Sequence, residues 1–268
     1  MPNQDIDILS KETFVISIIK LAAIEALTDE NYIHFNGLAD IGPYNFSPST
    51  NLDQHLLWVL LAPSAELTES EWLSICNLRG AQRIFSWLFE VILPDGITSY
   101  FEYAQMLKET LVDQQSKYPD EALAEFMLKV SAHECLGFLQ HQFKRHHLPF
   151  EFGDKTEILL MTALNSYDVS QIIGLLWSAL KSQLAKLHAG KISAEQAAES
   201  VIPNLERLLT RAKTENWQLT QFNRPGYLPQ SRLSRIIFEL VLLKPSDGYS
   251  CSRSWLSRLT EMDKLSTN

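Results

Sequence analysis

Apolar residues recur along much of this chain at three- and four-residue spacing, the repeat that gathers them on one face of an α-helix. The clearest stripe is Val169, Ile172, Ile173, Leu176, Leu180, Leu184 and Leu187, with Lys181, Gln183 and Lys186 assigned to the opposite face. Strand-type alternation is almost absent. Helix starts are marked by Ser, Thr or Asp followed three residues later by Glu or Gln, a box that satisfies two orphan backbone donors at once. Thr68-Glu-Ser-Glu71 predicts a helix to about residue 93, and Asp154-Lys-Thr-Glu157 one to about 165. Asp168-Val-Ser-Gln171 predicts one to His188, closed by Gly190, and Ser193-Ala-Glu-Gln196 opens the next. Further helices are predicted at 11–27, 51–61, 99–115, 120–147, 231–243 and 253–263. Pro203 lacks a backbone donor and predicts a kink or a fresh start in the helix begun at Ser193. The expected fold is all-α, an irregular multi-helix bundle of about ten helices with little or no strand. A solenoid is the weaker architecture, because no repeat period emerges.

Residues 30–48 and 214–230 resist the helical pattern and mix aromatics with Gly and Pro, as ordered loops do. The second loop is taken as a soft boundary between a helical domain, 1–213, and a helical segment, 214–268. Gly80, Gly137 and Gly174 lie inside predicted helices, where glycine costs about 1 kcal/mol relative to alanine. Close helix crossings are expected there.

Composition agrees with helix: 41 Leu stand against 19 Ile and 8 Val, and β-branched residues favour strands. A chain of 268 residues, 46% hydrophobic, buries a core without metal or disulfide staples. Cys76, Cys135 and Cys251 are far apart and form no CxxC pair, so neither a disulfide framework nor a cysteine zinc site is expected. No apolar run reaches about 18 residues and the first residues are acidic, so no membrane span or signal peptide is expected, and the location read from this is cytoplasmic.

Charge changes the picture more. Residues 1–200 carry net −13 and residues 201–268 net +4, within an overall −9. Seven of the ten arginines lie in the basic part: Arg207, Arg211, Arg224, Arg232, Arg235, Arg253 and Arg258, interleaved with Trp217, Phe222, Tyr227, Tyr249 and Trp255. Arginine with aromatics suits a protein interface, whose hot spots are enriched in these types. It also suits phosphate contact with base stacking, although a net negative body repels nucleic acid. A third reading pairs these arginines with the protein's own excess acid.

The segment Pro119–His147 holds the other signal. Leu123, Met127 and Val130 define an apolar face, and at 100° per residue Glu134 and His141 project near its centre. An inward carboxylate and imidazole are the raw material of a bundle metal site. The further carboxylates and Glu-x-x-His pairs of such sites are missing, however, and the HExxH pattern fails at Gly137. Leu136, Leu139 and Phe143 place a second stripe on the other side, so a rotation at Gly137 that exposes Glu134 is the competing expectation. Cys135 reads as a buried structural thiol rather than a nucleophile. No GxGxxG, Walker loop or GxSxG motif is present, and no cofactor is implied. The expectation is a non-catalytic subunit or adaptor that contacts a protein partner through Arg224, Arg232, Arg235, Arg253, Arg258, Trp217 and Trp255. The alternatives are a nucleic-acid contact through the same arginines, or a metalloenzyme centred on Glu134 and His141.

Overall fold

The computed structural model describes residues 14–15, 17–22, 24–25, 61–63, 89–91, 96–114, 121–149, 152–242 and 248–250. These residues are mostly helical. The helices predicted at 253–263, and over most of 51–61 and 68–93, lie outside them. The strand content is as small as expected: β1 (Leu61–Pro63) pairs antiparallel with β2 (Phe89–Val91), Leu61 opposite Val91. The helix predicted to run to residue 93 therefore does not include Phe89–Val91. Phe89, Val91 and Ile92 are strand-favouring types, and a three-residue strand is too short to show alternation.

Seven α-helices are delimited among the described residues in place of about ten: α1 (Tyr100–Gln114), α2 (Glu121–Arg145), α3 (Asp154–Leu164), α4 (Val169–His188), α5 (Ala194–Glu199), α6 (Val201–Thr214) and α7 (Arg232–Arg235). The chain forms two units, one of residues 1–123 with 231–243, the other of 124–230 with 244–268.

In the first unit, helical residues between 14 and 25 bury Phe14, Ile18, Leu21, Ala22 and Ile24. Helix α1 buries Tyr103, Ala104, Leu107 and Leu111, again at helical spacing, and leaves Phe101 exposed. Ser231 caps α7 by accepting a hydrogen bond from the Ser234 amide at 3.2 Å. The helix then widens into a π-helical turn, Ile236–Val241, which packs on α1.

In the second unit α4 is the organiser, packed against α3, α5 and α6. Its start is as expected: the Gln171 side chain accepts from the Asp168 amide at 3.0 Å. Its end is a Schellman closure, with Gly190 at φ +66° and the Lys191 amide bonded to Lys186 O at 3.0 Å. The stripe Val169, Ile172, Ile173, Leu176, Leu180 and Leu184 is buried. Gln183 is buried too, correcting its assignment to the polar face. It stands seven residues from Leu176, which is two turns and the same side.

Ser193 and Gln196 form a reciprocal capping box on α5. No such box forms at Asp154, because α3 is capped by Gly153 with no side-chain bond. The expected fresh start falls at Val201, which makes Pro203 the third helical residue, where the missing amide has no helical acceptor in any case. Asn204 ties α6 to α4 by donating to Ala179 O at 3.2 Å.

Helix α2 runs unbroken through Gly137, and every residue from Val130 to Leu139 is buried. Both apolar stripes are thus satisfied at once, and no rotation exposes Glu134. A helix enclosed on all sides needs no single apolar face. Its end is unusual, because the Schellman position is held by His147 at φ +52°, with the Leu148 amide bonded to Phe143 O at 2.9 Å. A non-glycine residue there costs about 1–2 kcal/mol in local sterics. His147→Gly, offset by glycine's unfolded-state entropy, is expected to stabilise the protein by about 0.5–1 kcal/mol, measured by urea unfolding.

Candidate functional site

The chemistry-bearing side chains of the second unit converge on α2 from the loop that follows α6. Arg224 is drawn inward and donates to Glu134 Oε2 at 2.5 Å, and the two side chains are only 12% and 4% exposed. The same guanidinium lies over the Tyr249 ring, 4.8 Å from its centroid. Three residues on, Tyr227 stacks on His141 at 4.3 Å with the rings 15° apart. Its hydroxyl accepts from Gln142 Nε2 at 3.2 Å. Glu134 and His141 are therefore each engaged by a different residue of one loop.

Burial sets the protonation chemistry here. It pushes the Cys135 thiol well above its usual range, and the neighbouring Glu134 charge adds to the effect. Burial also raises the Tyr249 phenol. A thiol held protonated is a poor nucleophile, in agreement with a structural Cys135. Among the described residues, no group of three or more His, Cys, Asp or Glu side chains is placed to hold a metal ion.

The loop has further anchors. Gln221 donates to Asp168 Oδ2 at 2.5 Å and to Ser250 O at 2.7 Å, and Gln171 donates to Leu219 O at 3.0 Å. Phe222 packs over Gly174, 3.1 Å from where a β-carbon would stand, so what approaches this glycine is a loop ring and not a crossing helix. Gly80 lies outside the described residues.

The other arginines also have internal partners. Arg211 forms a forked pair with Glu215 and lies 5.2 Å over the Trp217 ring, whose indole N–H donates to Glu215 at 2.7 Å. Arg207 bonds Asn204, and in the first unit Arg235 pairs with Glu25, which Lys108 also reaches at 3.2 Å. Arg232 is partly buried. Arg253, Trp255 and Arg258 lie outside the described residues.

Around this loop three aromatic rings reach solvent, Phe222 at 52% exposed, Tyr227 at 44% and Trp177 at 40%, and elsewhere on the unit Ile158 is exposed on α3. Trp177 lies one turn beyond Gly174, the residue beneath Phe222, and was not among the residues singled out from the sequence. The sequence does not mark it as exposed, because it stands four residues after Ile173 and three before Leu180 and so shares the spacing of the buried stripe.

A second carboxylate on this unit has an imidazole for a neighbour. His133 Nε2 is 3.5 Å from Glu157 Oε2, and the imidazole holds that carboxyl below its ordinary 4.5, against an opposing push from partial burial. A lowered pKa stabilises the fold above about pH 4.5, and the gain is lost as pH falls through the lowered value. Wild type is expected to exceed Glu157→Gln in stability near neutrality, with the gap closing on acidification, as followed by helical ellipticity against pH.

Among the described residues no helix is long and apolar enough to cross a membrane. Comparison of the chain with family models, curated proteins and solved structures finds no match.

Proposed function

We propose that this chain is a non-catalytic, mainly helical interaction protein whose contact with a protein partner is made by the aromatic loop 217–230 together with Trp177. The observation that carries the reading is a division of labour within the loop. Arg224, Gln221, the backbone of Leu219 and one side of Tyr227 are held inward, while Phe222, the neighbouring Trp177 and the other side of Tyr227 face solvent. Large rings on an anchored backbone lose little conformational freedom on binding, which is the character of interface hot spots. The arginines support the protein reading over the nucleic-acid one. Arg207, Arg211, Arg224 and Arg235 already have acceptors inside the protein, so phosphate contact would have to displace them.

The reading is tested with Phe222→Asp combined with Trp177→Asp, both on the surface. Wild type recovered from its host is expected to carry a protein in fixed stoichiometry that rebinds after separate purification. The double variant is expected to bind at least about thirtyfold more weakly, as loss of a hot spot of 2 kcal/mol or more does, while its melting temperature stays within a few degrees. A binding loss that follows salt steeply, with log affinity linear in log salt, identifies nucleic acid as the partner instead. Unchanged binding by the variant overturns the assigned surface.

A further inference from the structure

A separate feature of the second unit is a cavity of about 530 Å³ between the end of α2, the start of α3 and helices α5 and α6. That volume is within the range of sites for small organic ligands. One wall is aromatic: Phe143 and Phe152 meet with centroids 5.3 Å apart, tilted at 59°. Ile202 and Pro149 extend the apolar surface. The lining also includes Glu195 and Glu199, four residues apart on α5 and therefore on one side of it. Neither forms an ion pair among the described residues, and α5 has no basic residue in its last turn, where the helix dipole is already unfavourable to Glu199. The Glu195 carboxyl is held below its usual range by its own backbone amide and then by the Ser193 hydroxyl, so it is a standing negative charge at neutral pH. Thr156 also lines the cavity. The residue as a whole is nine-tenths buried.

The three kinds of lining select a ligand class. Apolar walls of this size call for an organic body, the two carboxylates call for a positive charge, and the Thr156 hydroxyl offers one further polar contact. A bare metal ion is poorly served, because hard divalent cations take six or more oxygen ligands, or carboxylates with retained waters. We propose that the cavity binds a small organic cation, an ammonium or guanidinium group carried on an apolar or aromatic body, with the body against Phe143, Phe152 and Ile202 and the charge toward Glu195 and Glu199.

The test uses 2-phenylethylammonium with two near-isosteres, the neutral 2-phenylethanol and the anionic 3-phenylpropionate, titrated into the full chain by calorimetry and saturation-transfer NMR. The ammonium is expected to bind at least tenfold more tightly than the alcohol, and the acid more weakly than either. Glu195→Gln with Glu199→Gln, both exposed and harmless to folding, is expected to bring ammonium and alcohol within about twofold of each other. Ile202→Trp, which fills the apolar wall, is expected to abolish binding of all three. Thr156→Val, close in shape, is expected to weaken the ammonium several-fold. Should Ile202→Trp not fold, the carboxamide pair decides. The proposal is overturned if wild type binds the three probes alike or binds none, or if the carboxamide pair keeps the tenfold preference.

Discussion

Arg224→Ala is expected to lower the free energy of unfolding by about 3–5 kcal/mol, the usual result of removing one member of a buried ion pair. The cost lies less in the lost attraction than in what remains. Glu134 sits on the enclosed stretch of α2 with its side chain 4% exposed, so removing the guanidinium takes the neighbouring positive charge from a carboxylate that water scarcely reaches. Glu134→Ala should cost a comparable amount, because the largely buried Arg224 then loses its carboxylate. The combination Arg224→Met with Glu134→Leu is expected to recover most of the loss, and an apolar pair of similar volume is often more stable than the ion pair it replaces. Urea unfolding of wild type, the two alanine variants and the variant that combines both alanines gives the coupling directly. Independent, additive losses would show that the two charges are separately solvated.

Leu176→Ala is expected to cost about 2–5 kcal/mol, through lost transfer energy and the cavity left behind. Leu176 is fully buried at the centre of α4, the helix that packs on three others, so the surroundings have little room to collapse into the gap. Phe101→Ser is the contrast. Its ring is 80% exposed, and surface changes of this kind stay within about 0.5 kcal/mol. Thermal melts that rank the two equally would contradict the packing described for α4.

Elements bounded by local chemistry are legible in the amino-acid sequence, and α4 is the best case. Its start at Asp168 with Gln171 and its stop at Gly190 are both settled by groups within a few residues of the helix end. The same holds for Ser193 and Gln196. Strands β1 and β2 are not legible, because each is three residues long and its partner lies elsewhere in the chain. The end of α2 is read to within two residues, at 147 against Arg145, but the left-handed turn that closes it is not, since a histidine is an uncommon choice at such a position. Glu134 is legible as inward-facing, from its place over Leu123, Met127 and Val130, yet its partner is not. Arg224 is 90 residues away, and no periodicity carries information across that distance. The arginine-rich stretch advertises contact, and whether the contact is inside or outside the protein is decided by tertiary geometry alone.

The interruption of the first unit has a consequence for the order of events during translation. Glu25 and Arg235 are 210 residues apart and belong to the same unit, as do α1 and the π-helical turn that packs on it. At bacterial or eukaryotic elongation rates of about 5–20 residues per second, the face of α1 that packs on Ile236–Val241 emerges from the ribosome roughly 6–25 s before its covering segment. Throughout that interval the nascent chain exposes apolar surface that trigger-type chaperones recognise, while residues 124–230 are already free to begin folding. Synonymous codons that slow synthesis between residues 124 and 231 should therefore lengthen the vulnerable period and raise the fraction captured by chaperones or lost to aggregation, without changing a single contact in the finished protein.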